Sequence, residues 1–390
     1  MQDLVLFGET HMRRLLALAA LCAASLSLHA QAVDTTVCDI LKNPQSFNGK
    51  TVRIKGTVVT GFQQFIVKGA DCGQAVDAIW LAYPEGTKAK AGPAVMVNLQ
   101  PASNFEGTIS TVQRAPVTLQ RDKAFKDFDA RLATPYKTNA ICEGCYRYSV
   151  SATLVGRLDG VATAGISRNA AGKIVGISGF GNLNAYRARL VLQSVADVSP
   201  QEADYTDSSK VTKDETAPPA VGNGAAGLDK AAQTYGPGNP LGAQLARAAS
   251  AFGKPGDQNG VVVSFNTGNQ ATSAYEAKGA QSSPDGVLFN CVFDSDHLKG
   301  DAMPIAMAYA GTQVADIRNP KETISGTDTY TLEYHGMQDA VLAAIGLQLK
   351  TLTVPGDFMV WNQKWEPTTR DNALDTALSS YLAKQILIRR

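Results

Sequence analysis

Cys142-Glu-Gly-Cys145 brings two thiols within three residues of each other. A dithiol at this spacing exchanges disulfides when a helix N-terminus lowers the thiolate pKa, but this pair leads into an expected strand. No second such pair completes a zinc ribbon. The spacing therefore favours structural disulfide partners, with thiol exchange and metal binding as alternatives. Asp294-Ser-Asp-His297 sets two carboxylates beside an imidazole, and His335 could approach from elsewhere in the chain. Asp294, Asp296, His297 and His335 are thus the candidate metal set, weighed against a solvated loop that follows a strand. The third constellation is a surface. Arg53, Lys55, Arg157, Arg187 and Arg189 fall on expected strands, and Phe62, Phe65, Trp80 and Tyr83 lie in or beside two more. Cations with aromatic faces make a groove for an anionic chain. The plainer reading makes the cations the solvated outside of a barrel and the aromatics its core.

Other chemistries fail on residue type. The chain has four histidines, of which only His297 and His335 lie beyond residue 32. A His-rich zinc site and the His-Glu-x-x-His pattern are excluded. No Gly-x-Ser-x-Gly elbow appears, since Gly176-Ile-Ser-Gly179 has the wrong spacing, so a triad hydrolase is disfavoured. Asn48-Gly-Lys-Thr51 ends like a phosphate-binding loop, yet Pro44 replaces its first glycine and a strand follows where a helix is needed. No cofactor is implied.

The elements that position these residues begin after a leader. Arg13-Arg14 precede fourteen apolar or small residues at 15–28, too few to span a bilayer, which takes about 20. With Ala30-Gln-Ala32 as a cleavage pattern, residues 1–32 read as a secretory signal peptide, and Met12 is an alternative start. The expectation is a protein exported to the periplasm or the extracellular space, with no transmembrane helix in the mature chain. Disulfides are allowed there. Beyond the leader remain Cys38, Cys72, Cys142, Cys145 and Cys291. Cys291, in Val287-Leu-Phe-Asn-Cys-Val-Phe293, is the expected spare thiol in a buried strand. The other four allow three connectivities.

At 390 residues the chain exceeds a single core, so two domains are expected. Residues 201–240 lack large apolar side chains and read as a flexible linker. Residues 33–200 carry 19 Lys+Arg and 12 Asp+Glu, a net of +7; residues 201–390 carry 15 and 21, a net of −6. Either the basic half docks on the acidic one or it faces an anionic ligand.

In the first half a short helix near 39–42 stops at Asn43-Pro44. Strand patterns then follow at 51–59, 62–68, 78–83, 146–158 and 187–193, with an irregular insertion at 85–145. Val52 and Ile54 alternate with Arg53 and Lys55. Five strands with internal glycines suggest a small closed barrel. In the second half, 260–265, 287–293 and 329–334 read as strands, and 337–349 and 374–386 as helices, an α+β domain over 241–390.

The run Cys38-Asp-Ile-Leu-Lys-Asn-Pro-Gln-Ser-Phe-Asn-Gly-Lys-Thr-Val-Arg-Ile-Lys-Gly-Thr-Val58 resembles the entry to OB-fold domains of the bacterial tRNA-anti-like type. Thr153-Leu-Val-Gly-Arg-Leu158 is similar to an OB fourth strand. Gly179-Phe-Gly-Asn-Leu-Asn-Ala-Tyr-Arg-Ala-Arg-Leu190 is similar to the closing segment of uncharacterised exported bacterial proteins. The resemblance covers residues 36–198 and implies a fold rather than an activity, since OB barrels bind oligonucleotides, oligosaccharides or proteins. The insertion departs from the family pattern and could cover the usual binding face.

The expected molecule is an α+β multidomain protein, an N-terminal OB-like barrel followed by a linker and an α+β domain. Its expected role is non-catalytic binding of a protein or an anionic envelope polymer, with nucleic acid disfavoured by export. An enzyme centred on the second domain, by metal-assisted or carboxylate hydrolysis, is the competing class, and a thiol-disulfide protein is the third.

Overall fold

The computed structural model describes residues 32–69, 72, 78–134, 147–202, 224–253, 259–267, 270–275, 283–296, 298, 300–319 and 329–347. The expected leader, Cys142, Cys145, His297 and the expected helix at 374–386 lie outside them. In chain order the elements are β1 (Val33–Asp34), α1 (Val37–Lys42), β2 (Thr51–Thr60), β3 (Phe65–Lys68), β4 (Ala78–Ala82), β5 (Val95–Pro101) and β6 (Thr108–Ile109). Then come α2 (Lys123–Leu132), β7 (Tyr148–Gly160), β8 (Gly165–Arg168), β9 (Ile174–Ser178) and β10 (Ala188–Glu202). The second half holds α3 (Gly224–Thr234), α4 (Pro240–Ser250), β11 (Val261–Thr267), β12 (Gln270–Tyr275), β13 (Val287–Asp294), α5 (Ala302–Arg318) and α6 (Thr329–Gly346). Among the described residues no helix is long and apolar enough to cross a membrane.

Five strands close into a barrel in the order β2-β3-β4-β10-β7, with β7 pairing back onto β2. The β4–β10 pair is parallel and the rest are antiparallel, so the barrel is mixed. This is compatible with an OB-like barrel. Alternation decides its two faces: Val52, Ile54, Val58, Leu154, Leu158, Leu190 and Leu192 are buried inside. α2 lies between the third and fourth barrel strands. Asp122 caps it by accepting from the Phe125 amide at 2.9 Å, and Phe125, Phe128 and Leu132 add to the barrel core. Gly49 turns the chain into β2 at φ 78°, a conformation natural to glycine, and its amide donates to the Leu158 carbonyl.

A second sheet runs β12-β11-β13-β5. Its last strand comes from the expected irregular insertion at 85–145: β5 pairs antiparallel with β13, Val97 opposite Cys291. The insertion also holds β6 and α2, so it is not structureless. The halves on either side of residue 200 thereby share a sheet. A further small sheet, β6-β9-β8, packs Ile166, Ile174 and Ile177 into the same core as β5.

Two sequence expectations of the second half change. Residues 329–334 are helical, not a strand. Six alternating residues fit either period, and the continuous apolar run after them extends the helix back through the segment. Inside the segment read as linker, 224–234 forms α3, with Leu228 and Ala231 buried against the core. Small residues give a helix enough apolar face when its partner helix is close: a Cβ at Gly227 would meet the Pro304 ring of α5 at 3.0 Å. α5 is buried along nearly its whole length.

Candidate functional site

On the outer face of the barrel β2 presents Arg53 and Lys55, both exposed, and Arg53 pairs with Asp34 at 3.0 Å. Arg187 donates to the Leu41 carbonyl at 2.5 Å, neutralising one of the open carbonyls at the end of α1. Arg157, Asp159 and Arg189 also point outward, because 157 and 159 are two apart on β7 and Arg189 faces Asp159 across the β7–β10 ladder. Arg157 donates to Asp159 from Nε at 2.7 Å and from Nη2 at 3.0 Å; Arg189 donates to the same carboxylate at 2.9 and 2.5 Å. Asp159 has no exposed surface at all, although it is on the outer face.

Segment 110–121 meets the barrel beside this cluster. Arg157 Nη1 donates to its Ala115 carbonyl, and the Gln120 amide donates to the Gln193 carbonyl of β10 at 2.8 Å. Arg189 stacks over the Phe180 ring, 4.7 Å from its centroid. Burial pulls the Arg189 pKa down, Asp159 opposes this, and the positive charges of Arg114 and Arg157 add to the depression.

Three of the four aromatics do not line this face. Phe65, Trp80 and Tyr83 belong to the barrel core, and Phe62 leaves it to pack edge-on against Tyr309 of α5, 4.9 Å between centroids. Phe65 and Tyr83 alternate inward and Phe62 sits in a connection that turns toward the second sheet, whereas Trp80 is the β4 partner of Arg189 and shares its outer face, buried there against Tyr186. Phe65 and Tyr83 therefore lie across the barrel wall from the cations, and Trp80 lies on the same side as Arg189.

The second half holds a buried polar seam where α5 and α6 run antiparallel. Thr312 donates to Asp339 at 2.5 Å, and His335 Nδ1 donates to Asp316 at 2.9 Å. From α4, Gln244 donates to Asp339 at 2.6 Å and Arg247 to Asp316. Gln313 follows Thr312 and Gln338 precedes Asp339 on the same two helices. Both are buried, and among the described residues neither side-chain amide meets a partner in hydrogen-bonding geometry, although Gln313 lies beside the Tyr309 hydroxyl. His335 is engaged by the Asp316 carboxylate, Asp296 is exposed, and Asp294 is buried at the end of β13. Among the described residues no group of three or more His, Cys, Asp or Glu side chains is placed to hold a metal ion.

Cys38 and Cys72 form a disulfide, and Cys291 is a free thiol buried in β13. Burial pushes the Cys291 thiol up to about 12, so it has no nucleophilic character at neutral pH.

Sequence reasoning missed Asp159, Arg114 and Phe180 around the barrel cations, and Asp316, Gln313 and Gln338 in the seam. Arg157-Leu-Asp159 carries a usable signal, since residues two apart on a strand share a face. The seam carries none, because its pairs join helices separated in sequence. No family model matches the chain, and no curated protein or solved structure matches it either.

Proposed function

We propose that this is an exported, non-catalytic binding protein whose barrel, of the OB tRNA-anti-like type, recognises a protein or an anionic envelope polymer. The observation that carries the reading is the division of the barrel wall. Its inner side is apolar, while Arg53, Lys55, Arg157, Arg187 and Arg189 all lie on the outer side. A rigid closed barrel with cations fixed on one face offers a preorganised surface to an anionic chain. The leader at 1–32 supports export, and export disfavours nucleic acid as the partner.

The test is binding of the full mature chain to acidic polymers across a salt series. Affinity that falls steeply with salt supports the reading, because displaced counterions give that dependence. Absence of binding at low salt overturns it.

A hydrolase reading for the second half has one observation in its favour, the buried Asp316–His335 pair, in which a carboxylate fixes the imidazole orientation. Its test is hydrolase activity on ester and glycoside substrates, abolished by His335→Gln.

A further inference from the structure

Two guanidinium groups on the barrel share a single carboxylate, and a third arginine neighbours them on segment 110–121. Arg157 and Arg189 both spend hydrogen bonds on Asp159. Arg157 also donates to the carbonyl of Ala115, and residue 114 is the next residue along that segment. The bond ties the backbone next to Arg114 to Arg157, and the positive charge of Arg114 adds to the depression of the Arg189 pKa. Arg114 is exposed, and among the described residues no carboxylate pairs with it. The local formal charge is three positive against one negative, an excess of +2. Segment 110–121 adds Arg121 and no acidic residue, so it increases the excess.

Charge gathered this way costs free energy in the unliganded protein, and an incoming anion recovers it. Arg189 is held for the task. Its guanidinium is clamped by Asp159 on one side and stacked on Phe180 beneath, and 23% of its side chain remains exposed. A preorganised guanidinium loses little side-chain freedom on binding.

We infer that Arg114 and Arg189, positioned by Arg157 through Ala115 and by Asp159, form a binding site for a single oxyanion group. The ligand class is a carboxylate, sulfate or phosphate taken from the outer side of the barrel. The proposal rests on the binding function above for its biological context and adds the residues, the stoichiometry and the ligand chemistry. Arg157 and Asp159 are positioning residues, since their own hydrogen bonds are made within the protein.

The experiment uses the full mature chain with two probes, inorganic phosphate and polygalacturonate, the second presenting carboxylates on a polymer. Arg114→Gln leaves the barrel pairs intact and is checked for an unchanged melting temperature. Loss of one charge-assisted hydrogen bond predicts affinity lower by about tenfold for the probe that binds. Lys68→Gln, an exposed cation on β3, which pairs with neither β7 nor β10, serves as the control and is expected to change affinity by less than about twofold. Free phosphate binding places the site with small anions; binding of the polymer alone places it with chains. Equal losses for Arg114→Gln and Lys68→Gln reduce the site to a diffuse field and overturn the inference while sparing the binding function. No binding of either probe overturns the inference. The failure of a wider panel of acidic polymers would then overturn the function as well.

Discussion

Tyr83 donates its hydroxyl to Asp129 at 3.2 Å, joining the end of the third barrel strand to the helix that packs against the barrel. The carboxylate also accepts the Lys90 amide at 3.0 Å and the Ala91 amide at 2.8 Å, so one buried side chain fixes both helix and strand exit. Asp129→Ala strands those donors and should cost about 3 kcal/mol, measured by denaturant unfolding. Tyr83→Phe should cost about 1 kcal/mol.

The same pair sets an alkaline limit. Burial, and after it the charge of Asp129, pushes the Tyr83 hydroxyl well above its ordinary value. The folded state thus holds its proton more tightly than the unfolded state. Stability from this group is complete below the unfolded value of about 10 and declines as pH rises beyond it. The fall of unfolding free energy above that pH should be shallower in Tyr83→Phe. Identical slopes in the two proteins would remove Tyr83 as a cause.

A cut at residue 200 should fail to give a well-behaved barrel. β5 belongs to the second sheet through β13, and its other edge is covered by side chains: Asn182 Oδ1 accepts the Val97 amide at 2.8 Å and Asn184 Oδ1 the Leu99 amide at 2.9 Å. Asn184 itself has φ 55°, tolerated by asparagine far better than by branched residues. A fragment of residues 33–200 leaves the β13 side of β5 open and Val95, Val97 and Leu99 without their core. Light scattering should show self-association of the fragment and none of the full chain. A monodisperse fragment would show that β5 contributes nothing to solubility.

These relationships mark where the sequence is informative. The barrel strands were legible because alternation is local: Val52 and Ile54 inside, Arg53 and Lys55 outside. β5 alternates as well, with Val95, Val97 and Leu99 buried, but it stands among Ala, Gly and Pro residues that read as irregular, and its partner Val287–Asp294 is remote in sequence. Segment 329–334 alternates and is nonetheless helical, so short alternation decides nothing unless its continuation agrees. The cation cluster was half legible. Strand period placed Arg157 and Arg189 outside, whereas the shared carboxylate and the approach of 110–121 depend on contacts between segments far apart in the chain.

Cys38–Cys72 and Cys291 should separate cleanly by reactivity. A thiol reagent should leave Cys291 unmodified in the native protein and label it after denaturation, because burial keeps it protonated and inaccessible. Reducing the disulfide, which closes a sequence separation of 34 residues, should lower stability by about 3–4 kcal/mol on the chain-entropy account. Unchanged unfolding after reduction would mean that the reduced, unfolded chain remains compact around that loop.

Gln313 and Gln338 give the sharpest test of the helical layer. Each is buried and adjoins a member of the Thr312–Asp339 pair in the chain, and among the described residues neither amide meets a partner in hydrogen-bonding geometry. A buried amide left without hydrogen bonds costs about 1–3 kcal/mol, so removing both polar groups together should recover free energy rather than lose it. Gln313→Leu with Gln338→Met keeps volume close to the original, and the double variant should unfold at the same or a higher denaturant midpoint. Either single change leaves the opposite amide orphaned and should gain less. A double variant destabilised by about 2 kcal/mol or more, a value in the range for losing satisfied buried hydrogen bonds, would mean that the amides are hydrogen-bonded in solution by bound water or a ligand. The seam would then be a polar site and the Asp316–His335 pair its neighbour.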